Sequence, residues 1–327
     1  MTKRNLFWGS LLLAFFLTAC LSPSLRAAER SPNEIAVTYA AIAGSFGPLW
    51  VAKDQGLFKQ NGLDVSLQYL NPTAGIQALV AGDVDLYGGG TVALEAAISG
   101  ADLVFVASIL EKYTFFLFSL PEIKDVSELK GKVVGLSQPG APTYFGGLVV
   151  LRRAGLVPDK DVKLSYMRGI PEILTALQQK SIQAGMIYAP MTILARKAGL
   201  RELVDLGKLP DRFPQTAFIA KRPYIGSHKD TLVRFLKGYV EGVRYARANP
   251  KPTMEVMAKY TKMTDPEATE ENYRVFSPFW EDPPFMNEAS MQTALTMSTN
   301  PKAGQFKAKD FIDNGIVQEL SNRGLFK

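Results

Sequence analysis

A single histidine and a single cysteine stand among 327 residues, and neither is placed for catalysis. His228 lies in Ser227-His228-Lys229-Asp230, the opening of a long amphipathic stretch, where a capping or solvated role suits it better than proton transfer. Ser227 is the expected cap of that helix. Cys20 closes an apolar N-terminal run and has no second cysteine to pair with, so neither an internal disulfide nor a cysteine metal cluster is expected. Asp83 and Asp85, two residues apart on a strand, point to one side and form a carboxylate pair of the type used in acid–base work. The same spacing serves equally well for a turn residue and a strand-end residue that fix the local backbone. No Gly-x-Ser-x-Gly elbow, His-Glu-x-x-His pair or phosphate loop ending in Gly-Lys-Ser/Thr occurs. No cofactor or metal is therefore expected.

What recurs instead is a set of loops of small residues with hydroxyls: Ser45-Phe46, Gly89-Gly90-Thr91, Gly140-Ala141-Pro142-Thr143 and Arg168-Gly169. Each follows a strand-like run and precedes a helix-like one. In an open α/β sheet that is where backbone N–H groups and helix N-termini converge on a ligand. The hydroxyls of Ser45, Thr91 and Thr143 suit sulfonate, carboxylate or carbonyl oxygens, and Arg168 adds a positive charge. Phe46, Tyr87, Tyr113, Tyr144, Phe145 and Tyr188 cluster near the same loops. Such aromatics are often core residues, but any that line a shared cleft call for a ligand with an apolar or planar part. The candidate ligand-binding set is Ser45, Phe46, Gly89, Gly90, Thr91, Tyr113, Gly140, Ala141, Thr143, Arg168 and Tyr188.

The elements that must carry these loops are legible from periodicity. Ile35, Val37 and Tyr39 alternate as a strand, the glycines of 44–47 break it, and Pro48 opens a helix. Val65, Leu67 and Tyr69 form the next strand, and Asn71-Pro72 start a helix that stops at Gly82. Val84 and Leu86 begin a third strand, and the apolar run 103–107 reads as a strand buried on both faces. Tyr113 to Leu120 is expected to be another. The strand–loop–helix order of 35–110 returns in 131–206, which predicts two similar α/β lobes. Residues 34–119 plus 216–327 are expected to form lobe 1 and residues 120–215 lobe 2, with crossings near 119–121 and 210–216. The helices after Ser227, broken by Pro250, Pro266, Pro278, Pro283-Pro284 and Pro301, are expected to pack on lobe 1.

Hydrophobic content of 47% and charged content of 21% suit a globular chain with a sizeable core. The net charge of +6 is not concentrated in Lys/Arg runs or an aromatic-basic face, so no nucleic-acid partner is expected. Residues 1–20 read as an export signal: Lys3 and Arg4, an apolar stretch from Leu6 to Leu17, then Leu17-Thr18-Ala19-Cys20, which resembles a bacterial lipobox. In that reading Cys20 is lipidated and tethers the protein to a membrane face; the alternative is plain cleavage near Ala27. Residues 21–33 are polar and proline-bearing, a flexible spacer.

Several segments carry a family resemblance. Trp50-Val-Ala-Lys-Asp-Gln-Gly-Leu-Phe58, Asn61-Gly-Leu-Asp-Val65, Leu129-Lys-Gly-Lys-Val-Val-Gly135, Ala154-Gly-Leu156, Asp161-Val162 and Ala189-Pro190 resemble substrate-binding proteins of ABC importers for nitrate, sulfonates and taurine. That superfamily includes binding proteins for thiamine-pyrimidine precursors. The resemblance spans roughly residues 34–245 and implies the type II periplasmic-binding-protein fold, with a ligand cleft between lobes joined by a two-strand hinge. It implies a monomeric periplasmic or cell-surface lipoprotein that binds a small organic anion or planar heterocycle and delivers it to importer membrane subunits. The chain departs from the pattern where members commonly show Gly-Ser, here Gly140-Ala141, and where they often carry acids, here Gln183 and Ala189. Both departures weaken transfer of a specific sulfonate, nitrate or amine pocket. An enzyme on the same fold is the alternative. Desulfinases of this architecture depend on a cleft cysteine, and thiamine-pyrimidine synthases of related fold use a histidine-rich site; Cys20 and His228 supply neither. An effector domain of a transcription regulator would need a DNA-binding helix pair and no export signal, and is set aside.

Overall fold

The computed structural model describes residues 31–326; the signal, Cys20 and the spacer up to Arg30 lie outside them. The chain runs β1 (Glu34–Tyr39), a 3-10 turn at Gly44–Phe46, α1 (Gly47–Asp54), α2 (Leu57–Gln60), β2 (Asp64–Tyr69), α3 (Pro72–Ala81), β3 (Leu86–Gly89), α4 (Val92–Ile98), β4 (Leu103–Leu110) and β5 (Phe116–Ser119). It continues through β6 (Val133–Ser137), α5 (Pro142–Arg153), β7 (Lys163–Met167), α6 (Ile170–Gln178), β8 (Ala184–Ile187), α7 (Met191–Lys197), β9 (Arg201–Asp205) and β10 (Thr216–Lys221). Helices follow: α8 (Arg222–Ser227), α9 (Lys229–Ala248), α10 (Pro250–Thr261), α11 (Pro266–Phe276), α12 (Glu288–Met297) and α13 (Gly315–Asn322).

Two five-stranded sheets result, ordered β2-β1-β3-β10-β4 and β7-β6-β8-β5-β9. They share one plan. In each, the first strand pairs in parallel with the second and third, as Ile35 does with Val65 and Val134 with Leu164. The fourth place is taken by an antiparallel strand that arrives from the other half: β10 in the first sheet and β5 in the second. This mutual exchange is the two-lobe type II arrangement, and it makes the first lobe discontinuous in sequence.

The exchange also moves an expected boundary. Phe116–Ser119 pairs with β8 and β9, so it belongs to the second sheet, whereas the sequence reading set the boundary after Ser119. The first crossing is therefore 111–115, and it lies against the second crossing, 206–215. Gln215 ties them: its Oε1 accepts from the Thr114 backbone N–H at 2.7 Å and its Nε2 donates to the Thr114 hydroxyl at 2.8 Å. Tyr113 stacks on Phe213 with ring centroids 4.5 Å apart, and the Phe213 N–H donates to the Glu111 carbonyl. An aromatic stack and the Gln215 amide thus hold the two crossings side by side.

The C-terminal helices complete the first lobe. Helix α9 buries Leu232, Phe235, Leu236, Tyr239, Val240 and Val243 at helical spacing. It approaches α1 so closely that a Cβ on Gly242 would sit 2.5 Å from the Pro48 carbonyl oxygen, so only glycine fits there. Ser227 does not cap α9. It ends α8, its hydroxyl donates back to the Pro223 carbonyl at 3.0 Å, and it lies 2.7 Å from His228 Nδ1. Helix α11 packs on α10, on the Gly44–Phe46 turn and, across the boundary between halves, on α7.

Candidate functional site

The carboxyl ends of the parallel strands and the helices that follow them open onto one cavity of about 470 Å³. From the first half come the turn after β1, with Ser45 and Phe46, the start of α3, with Asn71 and Thr73, and the end of β3, with Gly89 and Gly90. From the second half come Ser137 to Pro139 and the start of α5, with Ala141 and Thr143, then Arg168 and Gly169 before α6, and Tyr188 after β8. The sequence favours these helix starts where they are: Pro stands in the first turn of α1, α3, α5 and α6, where its missing N–H costs nothing. Several N-terminal dipoles thus aim at one space, an arrangement that attracts negative charge.

Among the described residues Arg168 is the sole charged one lining the cavity. It is exposed and enters no ion pair among the described residues. The walls are aromatic: Phe46, Tyr69, Tyr87 and Phe276 from one side, Phe115 and Tyr188 from the other. Phe115 and Tyr188 contact each other at 6.1 Å. Tyr87 is wedged between two glycines, since a Cβ on Gly75 would lie 2.6 Å from its ring and one on Gly89 would lie 2.3 Å from its hydroxyl. That hydroxyl is buried and has no hydrogen-bond partner among the described residues. Burial pushes the phenols of Tyr87 and Tyr188 well above the usual tyrosine range, so both are protonated donors at any physiological pH. Burial, with the Glu172 charge nearby, raises Tyr69 as well.

Of the sequence candidates, Ser45, Phe46, Gly89, Gly90, Ala141, Thr143, Arg168 and Tyr188 line the cavity; Thr91, Gly140 and Tyr113 do not. Tyr113 is spent on the hinge stack with Phe213. Thr91 and Gly140 meet each other instead. The Thr91 hydroxyl donates to the Gly140 carbonyl at 2.7 Å, a buried bond between the two halves beside the cavity. The Thr143 hydroxyl is taken up by that of Ser137 in a short bond. Gly89 stands at the end of β3 rather than in a loop. Among the other aromatics singled out, Phe145 is buried in the core and Tyr144 lines a separate surface groove. Asp85 proves structural: its Oδ2 accepts from the Ala36 N–H at 2.7 Å, tying β3 to β1. His228 lies outside the cavity, stacked on Tyr224 at 4.2 Å.

Sequence reasoning missed Asn71, Thr73, Phe115, Gln215 and Phe276. Asn71 was recognisable, because it follows β2 and caps α3 by accepting from the Ala74 N–H at 3.0 Å, the same strand-end position as the others. Phe276 carries no local signal. It reaches the cavity from α11, whose Asn272 Oδ1 accepts from the Gly44 N–H at 2.9 Å, while Trp280 Nε1 donates to the Gly44 carbonyl at 2.9 Å. The turn that presents Ser45 and Phe46 is thus held from the far end of the chain.

Comparison with known proteins places this geometry. YtlA of Bacillus subtilis strain 168, named as a candidate binding protein, is 25% identical over 303 residues, 88% of each chain. The alkanesulfonate-binding protein SsuA from Xanthomonas axonopodis pv. citri, solved with MOPS bound, superposes with a TM-score of 0.70 at 18% identity, covering 89% of this chain and 98% of that one. The periplasmic nitrate-binding protein NrtA from Synechocystis PCC 6803 gives 0.72 at 12% identity, covering 89% of each. At such identities the solved structures share the two-lobe fold, which by itself does not fix a ligand. The profile of the NMT1/THI5 like family matches residues 43–253, from the turn that presents Ser45 into α10. The chain belongs to the NMT1/THI5-like family.

Proposed function

We propose that this protein is an exported solute-binding protein that captures a small organic anion between its two lobes and passes it to the membrane subunits of an ABC importer. The observation that carries this reading is the cavity itself: helix N-termini from both halves converge on it, and Arg168 is its one charged lining residue among those described. Closure about the 111–115 and 206–215 crossings would bury the anion and present a composite surface to the importer. The names of YtlA, SsuA and NrtA accord with it.

An enzymatic reading finds no comparable support. Its nucleophile or proton carrier would have to come from the cavity wall, where no Cys or His stands among the described residues; His228 stacks on Tyr224 elsewhere. The lobes are proposed to act as a monomer, tethered through a lipid on Cys20. Incubating cells with labelled palmitate tests the tether: wild type should carry the label and Cys20→Ser should lose it, and an unlabelled wild type removes the tether from the proposal.

The binding reading is tested by thermal melts of the purified protein against a panel of inorganic, aliphatic and aromatic anions. A ligand at a hundred times its Kd adds about 2.7 kcal/mol to stability, which amounts to a rise of several degrees. A flat response across every anion would overturn it.

A further inference from the structure

Resting on that reading, we infer that the ligand is a planar aromatic monoanion, held flat between the rings of the two lobes with its charge toward Arg168, rather than nitrate, an aminosulfonate or an organic cation. Size is the first argument. The cavity of about 470 Å³ falls in the range of sites that enclose ligands of drug-like size, and an anion of four or five heavy atoms would leave most of it to water.

Wall chemistry is the second. Six aromatic rings line the space, and they come from both sides: Phe46, Tyr69, Tyr87 and Phe276 from the first lobe and its C-terminal helix, Phe115 and Tyr188 from the crossing and the second lobe. Closing two aromatic walls on each other leaves a slab, which a flat ring fills with offset or edge contacts. A small hydrated anion would reach the helix starts and Arg168 but leave the aromatic faces to water, contacts that only a ligand with a flat apolar part makes.

Charge is the third. An aromatic cage is also the usual receptor for a quaternary ammonium. Here no Asp or Glu among the described residues lines the cavity, and Arg168 and the helix N-termini all oppose a cation. An amine-bearing anion such as taurine would likewise leave its ammonium without a carboxylate partner.

The buried Tyr87 hydroxyl adds a detail. Tyr87 is a wall residue beside Gly89, and its hydroxyl is fully buried with no partner among the described residues. The neighbouring Thr38 hydroxyl is buried and unpartnered as well. The Tyr87 oxygen is sealed from the cavity in this structure, so a hydroxyl or carbonyl on the ligand ring would satisfy it only where seating the ligand shifts the Tyr87 ring against Gly89.

Titration calorimetry of the full-length protein with benzoate, 2-naphthalenesulfonate, nitrate, taurine, benzamide and benzyltrimethylammonium separates the outcomes. The inference expects at least one aromatic monoanion to bind tenfold or more tighter than nitrate and taurine, and benzamide to bind at least tenfold weaker than benzoate. Nitrate or taurine binding tighter than both aromatic anions overturns the inference and leaves the anion-binding function standing. Benzamide matching benzoate, or the quaternary ammonium binding tightest, overturns the charge assignment. If none of the six binds, the aromatic-anion inference falls; only silence across the wider anion panel would remove the binding function as well. A Phe115→Leu variant supplies the second readout: it should weaken the aromatic anions at least fivefold relative to nitrate, and an equal effect on both would count against the slab.

Discussion

The cavity and the α7–α11 contact both join the two halves of the molecule, yet their polar chemistry is opposite. At α7–α11 each charge has a protein partner. Glu271, only 4% exposed, accepts from the Thr192 hydroxyl at 2.5 Å and pairs with Arg196, which also reaches Glu202 at 2.5 Å. Lys197 pairs with Asp265 at 2.5 Å and with Glu267 at 3.4 Å. In the cavity wall, Arg168 has no ion-pair partner and the Tyr87 hydroxyl no hydrogen-bond partner among the described residues. A contact that must hold its shape satisfies its polar groups internally, because buried polar atoms are costly when left alone. A contact that must take up a solute leaves groups for the solute to satisfy. Helix α11 serves both, with Glu271 turned to α7, Asn272 holding Gly44, and Phe276 in the cavity wall.

The largest effect should come from breaking the satisfied contact. Glu271→Ala leaves the Thr192 hydroxyl buried without its acceptor and removes one partner of Arg196. Losing one member of a buried pair costs about 3–5 kcal/mol, and because Arg196 stays 37% exposed and keeps Glu202, a loss of about 2–3 kcal/mol is expected in urea unfolding. A loss below about 0.5 kcal/mol would put Glu271 in the class of surface ion pairs and dissolve the contrast.

Arg168→Gln should do the reverse. The side chain is exposed and its charge serves no ion pair, so stability should hold within about 0.5 kcal/mol. Affinity for the tightest-binding anion should drop at least tenfold, about 1.4 kcal/mol. Unchanged affinity in calorimetry would move the anion away from the second-lobe helix starts.

Tyr87→Phe sharpens the comparison from inside the cavity. A buried hydroxyl without a partner costs about 1–3 kcal/mol, so removing it should leave the ligand-free protein as stable or up to about 1 kcal/mol more stable. Ligands carrying a ring hydroxyl should lose affinity while unsubstituted ones should not. A destabilised ligand-free variant would mean that an ordered water already satisfies the oxygen.

How far the sequence carried these conclusions depended on whether the signal was local. The strand ends, the glycine loops and the prolines that open α1, α3, α5 and α6 are written in runs of a few residues, so the two-lobe plan and cavity residues such as Ser45, Gly90 and Arg168 were legible. The assignment of β5 was not. Its aromatic run suits either sheet, and only pairing with Ala184–Ile187 and Arg201–Asp205, distant in sequence, decides. Tyr113 failed for that reason: once the crossing falls at 111–115, its ring meets Phe213 rather than a ligand. Phe276 and Asn272 act on Gly44 and the cavity through long-range contacts that no periodicity announces. The Thr91–Gly140 bond is similar. Both residues are expected from sequence to bind the ligand, but they do not line the cavity; the Thr91 hydroxyl is taken up by the Gly140 carbonyl, a pairing no local pattern announces.

The hinge offers a test of a subtler kind, because Glu111 is a second buried carboxylate with a different balance. Its Oε1 accepts from the Asn287 N–H at 2.7 Å and its Oε2 lies 3.6 Å from Arg212, which is itself 63% exposed. Burial outweighs these contacts and holds the carboxyl above its usual 4.5. Such an acid binds its proton more tightly in the folded chain than in the unfolded one. Its contribution to stability is therefore full below the unfolded value and is lost as pH rises through the folded value. Glu111→Gln keeps an acceptor for Asn287 and never ionises. The stability difference between variant and wild type, from urea melts at several pH values, should shift toward the variant as pH climbs from 4 to 7. A difference that shifts toward wild type instead would mean that Arg212 and the Asn287 N–H dominate, and that the hinge, like the α7–α11 contact, is built around a satisfied charge.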